Sequence, residues 1–254
     1  MKRLLCLLIV AFALSSAVAQ GRKDTTCNLI FIGNSITEGV LHADKTKTAP
    51  PVLAAEMVGK MLSTDINFRN CGRSGATTVD FLPSQERDFV RVEKAIKDIQ
   101  AISYEPIIFS IMLGTNDSAN FGPNGSPVSN EDYESNLMTM ISRIRELCPG
   151  AIFVLQRPIW YSPNTHNNSQ YLVAGQKRMV GYTDVLIDLA RKNNDIYFGD
   201  NDAFDFFQAK HRKYMFAENG KAGVFYLHPN ESGAKKLAHF WAEAIAKTAK
   251  SARQ

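Results

Sequence analysis

Long apolar runs are scarce in this chain of 254 residues. The clearest, residues 4–14, follows Met1-Lys2-Arg3 and precedes Ser15-Ser16-Ala17-Val18-Ala19. It is shorter than the ~20 residues that a membrane-spanning helix needs. A charged start, a short apolar middle and an A-x-A ending make the pattern of a secretory signal. Residues 1–19 are therefore expected to be a cleaved leader, and residues 20–254 one mature domain that is secreted or periplasmic. Charge of one sign is also lacking. Without Lys2 and Arg3, 27 basic side chains face 25 acidic ones, a net of +2. No basic run points to nucleic acid, and no basic amphipathic helix points to a membrane surface. Cysteine is sparse: beyond Cys6 in the apolar run there are Cys27, Cys71 and Cys148. An odd number leaves at least one thiol unpaired. Cys27 opens an expected strand and Cys71 follows the end of another, which puts them at opposite sheet edges if those strands are parallel neighbours. Three free, mostly buried thiols are expected. Only five histidines are present, and their spacing is not that of a zinc site, so no metal or cofactor is expected. Repeats, low-complexity tracts and linkers are absent as well.

What is present is alternation. Short apolar runs at 28–32, 65–70, 106–113, 151–156 and 195–198 read as strands. Helical patterns fill 51–63, 86–100, 130–147, 170–192 and 231–250. The runs "IIFSIML" and "AIFVLQ" are apolar on both faces, the mark of strands covered on both sides in a parallel sheet. The order βαβαβαβαβα implies an α/β fold: one doubly wound, three-layer domain around a five-stranded parallel sheet. Such folds bind ligands beyond the carboxyl ends of the strands. Three polar loops, "SANFGPNGSPVSN", "RPIWYSPNTHNNS" and "HRKYMFAENGKAGVFYLHPN", are placed to line that rim.

Four stretches carry chemistry. In "IFIGNSITEG" the first strand stops at a glycine, and Ser35 follows at the rim. A serine there either caps a helix or is held out as a nucleophile. In "NCGRSGATT", Gly75 permits a positive φ and a backbone N–H turned toward a developing oxyanion. The plainer reading is a tight turn. In "GTND", the Asn116 amide either donates to the same oxyanion or braces a loop. In "LHPNESG", His228 sits in a short proline-stiffened loop before the last helix, with Asn230 as its cap.

Taken together and in order, these stretches resemble the SGNH hydrolase family, also called the GDSL esterases, whose four blocks are named for Ser, Gly, Asn and His. The resemblance spans residues 28–250. It implies Ser35 as nucleophile, His228 as general base, and an oxyanion hole from the Ser35 and Gly75 N–H groups and the Asn116 amide. It implies ester hydrolysis through an acyl-serine. Asn34 stands where the family has Asp before the serine. More consequentially, Phe225 stands three residues before His228, where the family carries the Asp that orients the base. That leaves His228 to be oriented by a main-chain carbonyl or by a distant carboxylate, with Asp202, Asp205, Glu218 and Glu231 as candidates.

The loops are polar rather than lid-like, and the stretches "RNCGRSGATTVDFLP" and "RPIWYSPNTHN" resemble exported bacterial esterases that deacetylate glycans. The expected substrate is a small-molecule or glycan O-acetyl ester. Trp160, Tyr161 and Tyr226 either stack on sugar faces or pack the loops. Arg73 and Arg157 either meet a sugar carboxylate or serve structure. His42 is an alternative base. His166, His211 and His239 read as solvated or packing residues. A lipid or aryl esterase is the alternative activity. A glycan-binding module on a decayed esterase fold is the alternative of another kind, with Phe225 as its support.

Overall fold

The computed structural model describes residues 26–252. The expected leader lies outside them. Five strands form the sheet: β1 (Thr26–Gly33), β2 (Asp65–Gly72), β3 (Ile107–Met112), β4 (Ile152–Leu155) and β5 (Ile196–Phe198). All neighbouring pairs are parallel, in the order β2-β1-β3-β4-β5. The sheet is α/β and doubly wound, as the alternation implies.

The apolar runs have no polar face because both faces of the sheet are covered. Along β1, Ile30 and Ile32 point into one core while Leu29 and Phe31 point into the other. Along β3, Ile107, Phe109 and Ile111 oppose Ile108 and Met112 in the same way. The first core is closed by α4 (Phe89–Gln100), α5 (Asn130–Leu147) and α6 (Leu172–Lys192); the second by α3 (Pro50–Leu62), α7 (Asp202–Tyr214) and α8 (Glu231–Ser251). Two short helices, α1 (Ser35–Glu38) and α2 (Lys45–Thr48), lie between β1 and α3. Each fully buried Leu, Ile or Phe stabilises this arrangement by ~1.5–3 kcal/mol. The buried amide of Asn28 in β1 is satisfied by Ser103 Oγ at 2.9 Å and the Glu105 carbonyl at 2.8 Å.

Three differences from the expected elements have local causes. Helix α4 starts at Phe89 rather than 86, because residues Pro83–Gln85 form a 3₁₀ turn and Glu86 takes a left-handed φ of 48°. Helix α6 starts at Leu172 rather than 170, since Gln170 pairs with Phe121 in an antiparallel bridge. The stretch before His228, read as a loop, holds the hairpin β6 (Glu218–Gly220) and β7 (Gly223–Phe225), and α7 precedes it. Strands of three residues are too short to show alternation, and α7 buries only Ala203, Phe204 and Phe207. Cys27, Cys71 and Cys148 are buried, and none is in a disulfide among the described residues. Among the described residues no helix is long and apolar enough to cross a membrane.

Candidate active site

The order of the strands reverses direction between β1 and β3, and the crevice at that point lies beyond their carboxyl ends. Ser35 follows β1 there and Asn116 follows β3. Gly33 ends β1 as a glycine of necessity: a Cβ would lie 2.1 Å from Thr37 Oγ1 and 2.8 Å from the Met112 carbonyl. Asn34 then caps α1, its side-chain oxygen accepting from the Ile36 N–H at 3.0 Å. Ser35 is therefore the first helical residue, a position whose N–H has no intrahelical acceptor and stays available. The cap is Asn34, so the serine is free for another task.

That task is set by His228. Its Nε2 lies 2.9 Å from Ser35 Oγ, across 193 positions of sequence. Its Nδ1 lies 3.0 Å from both carboxylate oxygens of Glu218, and its backbone N–H reaches Glu218 Oε1 at 3.1 Å. A carboxylate only accepts, so the proton sits on Nδ1 and Nε2 presents its lone pair to the serine hydroxyl. Of the four carboxylates left open by the sequence, Glu218 is the one in contact. Asp202, Asp205 and Glu231 are exposed in the first turns of α7 and α8.

The hairpin explains how the acid is replaced. Phe225, at the position where the family carries Asp, is buried in the second core. In the antiparallel register its cross-strand partner is Glu218. Directly opposed residues are only ~5 Å apart, so the facing strand delivers a carboxylate that β7 itself does not carry. Glutamate has one more methylene than aspartate with which to span the gap.

The other two blocks meet each other and the short helix that Ser35 opens. Gly75 adopts φ +77°, a conformation that L side chains rarely take. Glu38 Oε2 accepts the neighbouring Ser74 N–H at 2.7 Å and Oε1 accepts from Lys45 at 2.6 Å. Burial works to raise the Glu38 carboxyl, but Lys45 and the Ser74 N–H outweigh it and hold it below the usual range. Asn116 donates from Nδ2 to the Ala76 carbonyl at 2.8 Å. The second hydrogen on that nitrogen has no acceptor among the described residues. Asp117 ties the two loops together: it accepts from the Thr78 N–H at 2.8 Å, from the Thr78 hydroxyl, and from the Gly114 N–H at 3.1 Å. Burial nevertheless pushes its carboxyl up to about 6. Neither Asp117 nor Glu38 has a periodic or spacing signal, so sequence reasoning passed over both.

The remaining candidates fall elsewhere. His42 is not directed at Ser35; its Nε2 faces the Pro229 carbonyl at 3.1 Å and its Nδ1 faces Thr48 at 3.0 Å. It braces the loop of the base instead. Arg73 is engaged by Asp88 at 2.7 Å, Asp80 at 3.4 Å and the Ser74 carbonyl at 2.9 Å. Arg157 donates to Asn201 and lies over the Phe204 ring at 4.1 Å. Trp160 is only 5% exposed and packs on His211, so it offers no face to a sugar. Tyr161 is fully buried, and half-buried Tyr226 meets His211 edge-on. An exposed aromatic that the sequence did not single out is Phe121, in the loop after β3, 67% exposed and paired through its backbone with Gln170. His166 contributes its carbonyl to the Lys221 N–H, and His239 pairs with Glu243 on α8.

The solved structures that share the fold include three esterases. An aryl esterase of M. smegmatis is 16% identical, with a TM-score of 0.58 over 89% of this chain and 99% of that one. A carbohydrate acetylesterase from Sinorhizobium meliloti is 14% identical, with a TM-score of 0.58 over 89% and 99%. A mutant acetyl-xylooligosaccharide esterase from Geobacillus is 20% identical, with a TM-score of 0.57 over 86% and 93%. No curated protein sequence matches. The sequence profile of the GDSL-like lipase/acylhydrolase family matches residues 31–236, from the strand that presents Ser35 to the helix that follows His228. With that match over most of its length, the chain belongs to the GDSL-like lipase/acylhydrolase family and is a carboxylic ester hydrolase.

Proposed function

We propose that this protein is an exported serine esterase that removes O-acetyl groups from carbohydrates. The observation that carries the serine chemistry is the unbroken chain Ser35 Oγ, His228 Nε2, His228 Nδ1, Glu218, with contacts of 2.9 and 3.0 Å. Ser35 attacks the acetyl carbonyl as His228 takes its proton. Glu218 stabilises the resulting imidazolium and keeps the ring in place. The tetrahedral oxyanion accepts from the Ser35 and Gly75 N–H groups and the free Asn116 N–H. Collapse expels the sugar hydroxyl, which takes the proton from His228. Water then attacks the acetyl-serine by the same route and releases acetate.

Several observations support the carbohydrate. Two of the structural neighbours are named for acetylated saccharides. The rim loops are rich in Asn, Ser, Gly and Pro, and Phe121 supplies a rigid, exposed ring of the kind that stacks on a pyranose. The expected leader supports export and argues against coenzyme A thioesters, which are intracellular. The aryl esterase neighbour favours aryl esters as the second reading. The decayed-fold reading loses its support, since Glu218 takes the role that Phe225 leaves empty. The test is acetate release from acetylated sialic acid, xylan and pectin by wild type and Ser35→Ala, beside aryl acetates and long-chain esters. Release from at least one glycan, abolished in Ser35→Ala, is expected. Turnover confined to aryl or long-chain esters would overturn the assignment to carbohydrate.

A further inference from the structure

The side chain of Asn116 is held at both ends, and the second partner has a consequence for the reaction. Its nitrogen faces the Ala76 carbonyl at 2.8 Å. A carbonyl only accepts, so the amide cannot be turned the other way. Its oxygen then faces the Tyr171 hydroxyl at 2.6 Å. That oxygen also only accepts, so the tyrosine must donate. Tyr171 is 4% exposed, and burial pushes its phenol well above the ordinary range, so the proton is present at every working pH.

The tyrosine is itself fixed. Its N–H donates to the Thr165 carbonyl at 3.1 Å, its carbonyl accepts from Gly175 at 2.9 Å, and its ring meets Tyr161 edge-on at 5.3 Å. The backbone just past it is strained, with Leu172 in the left-handed region at φ 54°. Strain of this kind persists where the surroundings over-determine a geometry, as they do around active sites.

We infer that Tyr171 is a positioning residue for the oxyanion hole, acting through Asn116. A hydrogen bond into the amide oxygen draws electron density away from the amide nitrogen. The N–H left free for the oxyanion then becomes a stronger donor, because linked hydrogen bonds polarise one another in a dry site. The relay Tyr171 O–H to Asn116 C=O, and Asn116 N–H to oxyanion, therefore gains most in the transition state, when charge appears on the acceptor. The inference rests on the serine-esterase reading, which Ser35→Ala tests separately on wild-type background.

The test compares Tyr171→Phe with wild type on an aryl acetate and on its thionoacetate, in which sulfur replaces the carbonyl oxygen. Sulfur is a poor acceptor, so the thiono substrate draws little on the hole. For the ester we expect kcat lower by about tenfold, within the range of losing part of one oxyanion donor, with KM little changed. For the thionoester we expect little loss, so the ester-to-thionoester ratio should shrink by about tenfold. Equal losses on both substrates would show a purely structural role and overturn the inference, as would unchanged ester turnover. Should the phenylalanine variant fold poorly, 3-fluorotyrosine at position 171 keeps the ring and sharpens the donor. Ester kcat should then rise while thionoester turnover stays level; an unchanged or lower ester kcat would overturn the relay.

Discussion

Replacing Glu218 by glutamine removes a charge while preserving shape. In the native site one carboxylate serves three contacts: both oxygens lie 3.0 Å from His228 Nδ1, and Oε1 also accepts the His228 N–H at 3.1 Å. A glutamine can satisfy the backbone N–H and Nδ1–H with its one oxygen only by pointing its amide away from the ring. In the opposite orientation its NH₂ donates to Nδ1 and moves the ring proton to Nε2, where it faces Ser35 and blocks proton abstraction. Even the productive orientation loses the charge that stabilises the imidazolium. In a serine protease with a Ser-His-Asp triad, the analogous change of acid to amide costs ~10⁴ in kcat. Here the productive orientation remains open, so kcat should fall by roughly 10² to 10⁴, or ~3–5.5 kcal/mol of barrier. The assay is steady-state hydrolysis of an aryl acetate, with circular dichroism and melting temperature to show that the hairpin still folds. Glu218→Asp should fall between the two, because the shorter chain draws the carboxylate back from the ring. A Glu218→Gln variant within threefold of wild type would refute the assignment of the third member.

Other expectations follow from neighbouring contacts. Gly75→Ala places a Cβ that meets nothing nearer than Arg73 Nη1 at 3.8 Å, so its cost is backbone strain at φ +77° and not a clash. It should lower stability by ~1–2 kcal/mol and kcat by more than tenfold, read from denaturant melts and aryl acetate kinetics. Asp117, raised by burial from an ordinary 3.8 to about 6, favours its protonated form in the fold. Its contribution to stability is thus fully present below the lower value and lost as pH rises through the higher one. The stability difference between wild type and Asp117→Asn should shift toward the variant from pH 4 to pH 6 in urea melts; a shift toward wild type would contradict the assignment. Phe121→Ala should raise KM for acetylated xylan and leave aryl acetate turnover and melting temperature unchanged, since the ring is exposed; an equal loss on both substrates would exclude it as a sugar platform.

Much of this was legible in the chain itself. Strands β1, β3 and β4 are buried on both faces, and an apolar run without alternation is what such burial writes into sequence. Ser35, Gly75, Asn116 and His228 each follow a strand end or precede a helix, so their side of the sheet could be read from topology. Glu218 could be named but not chosen, because its contact depends on the register of a hairpin whose strands are three residues long. Phe225 was legible as a departure, yet only the cross-strand pairing shows that a carboxylate still reaches His228. Trp160 has the composition of a sugar platform and the environment of a core residue. Tyr171 and Asp117 gave no signal, since a hydrogen bond across 55 or 39 positions leaves no local pattern.

The most direct measurement is mass spectrometry of the protein after brief exposure to an aryl phosphonate ester, which traps an activated serine as a stable adduct. One adduct, carried by the peptide that contains Ser35 and formed far more slowly in His228→Ala and Glu218→Gln, is the predicted result. Labelling at another residue, or labelling of Ser35 at the same rate in all three proteins, would contradict it.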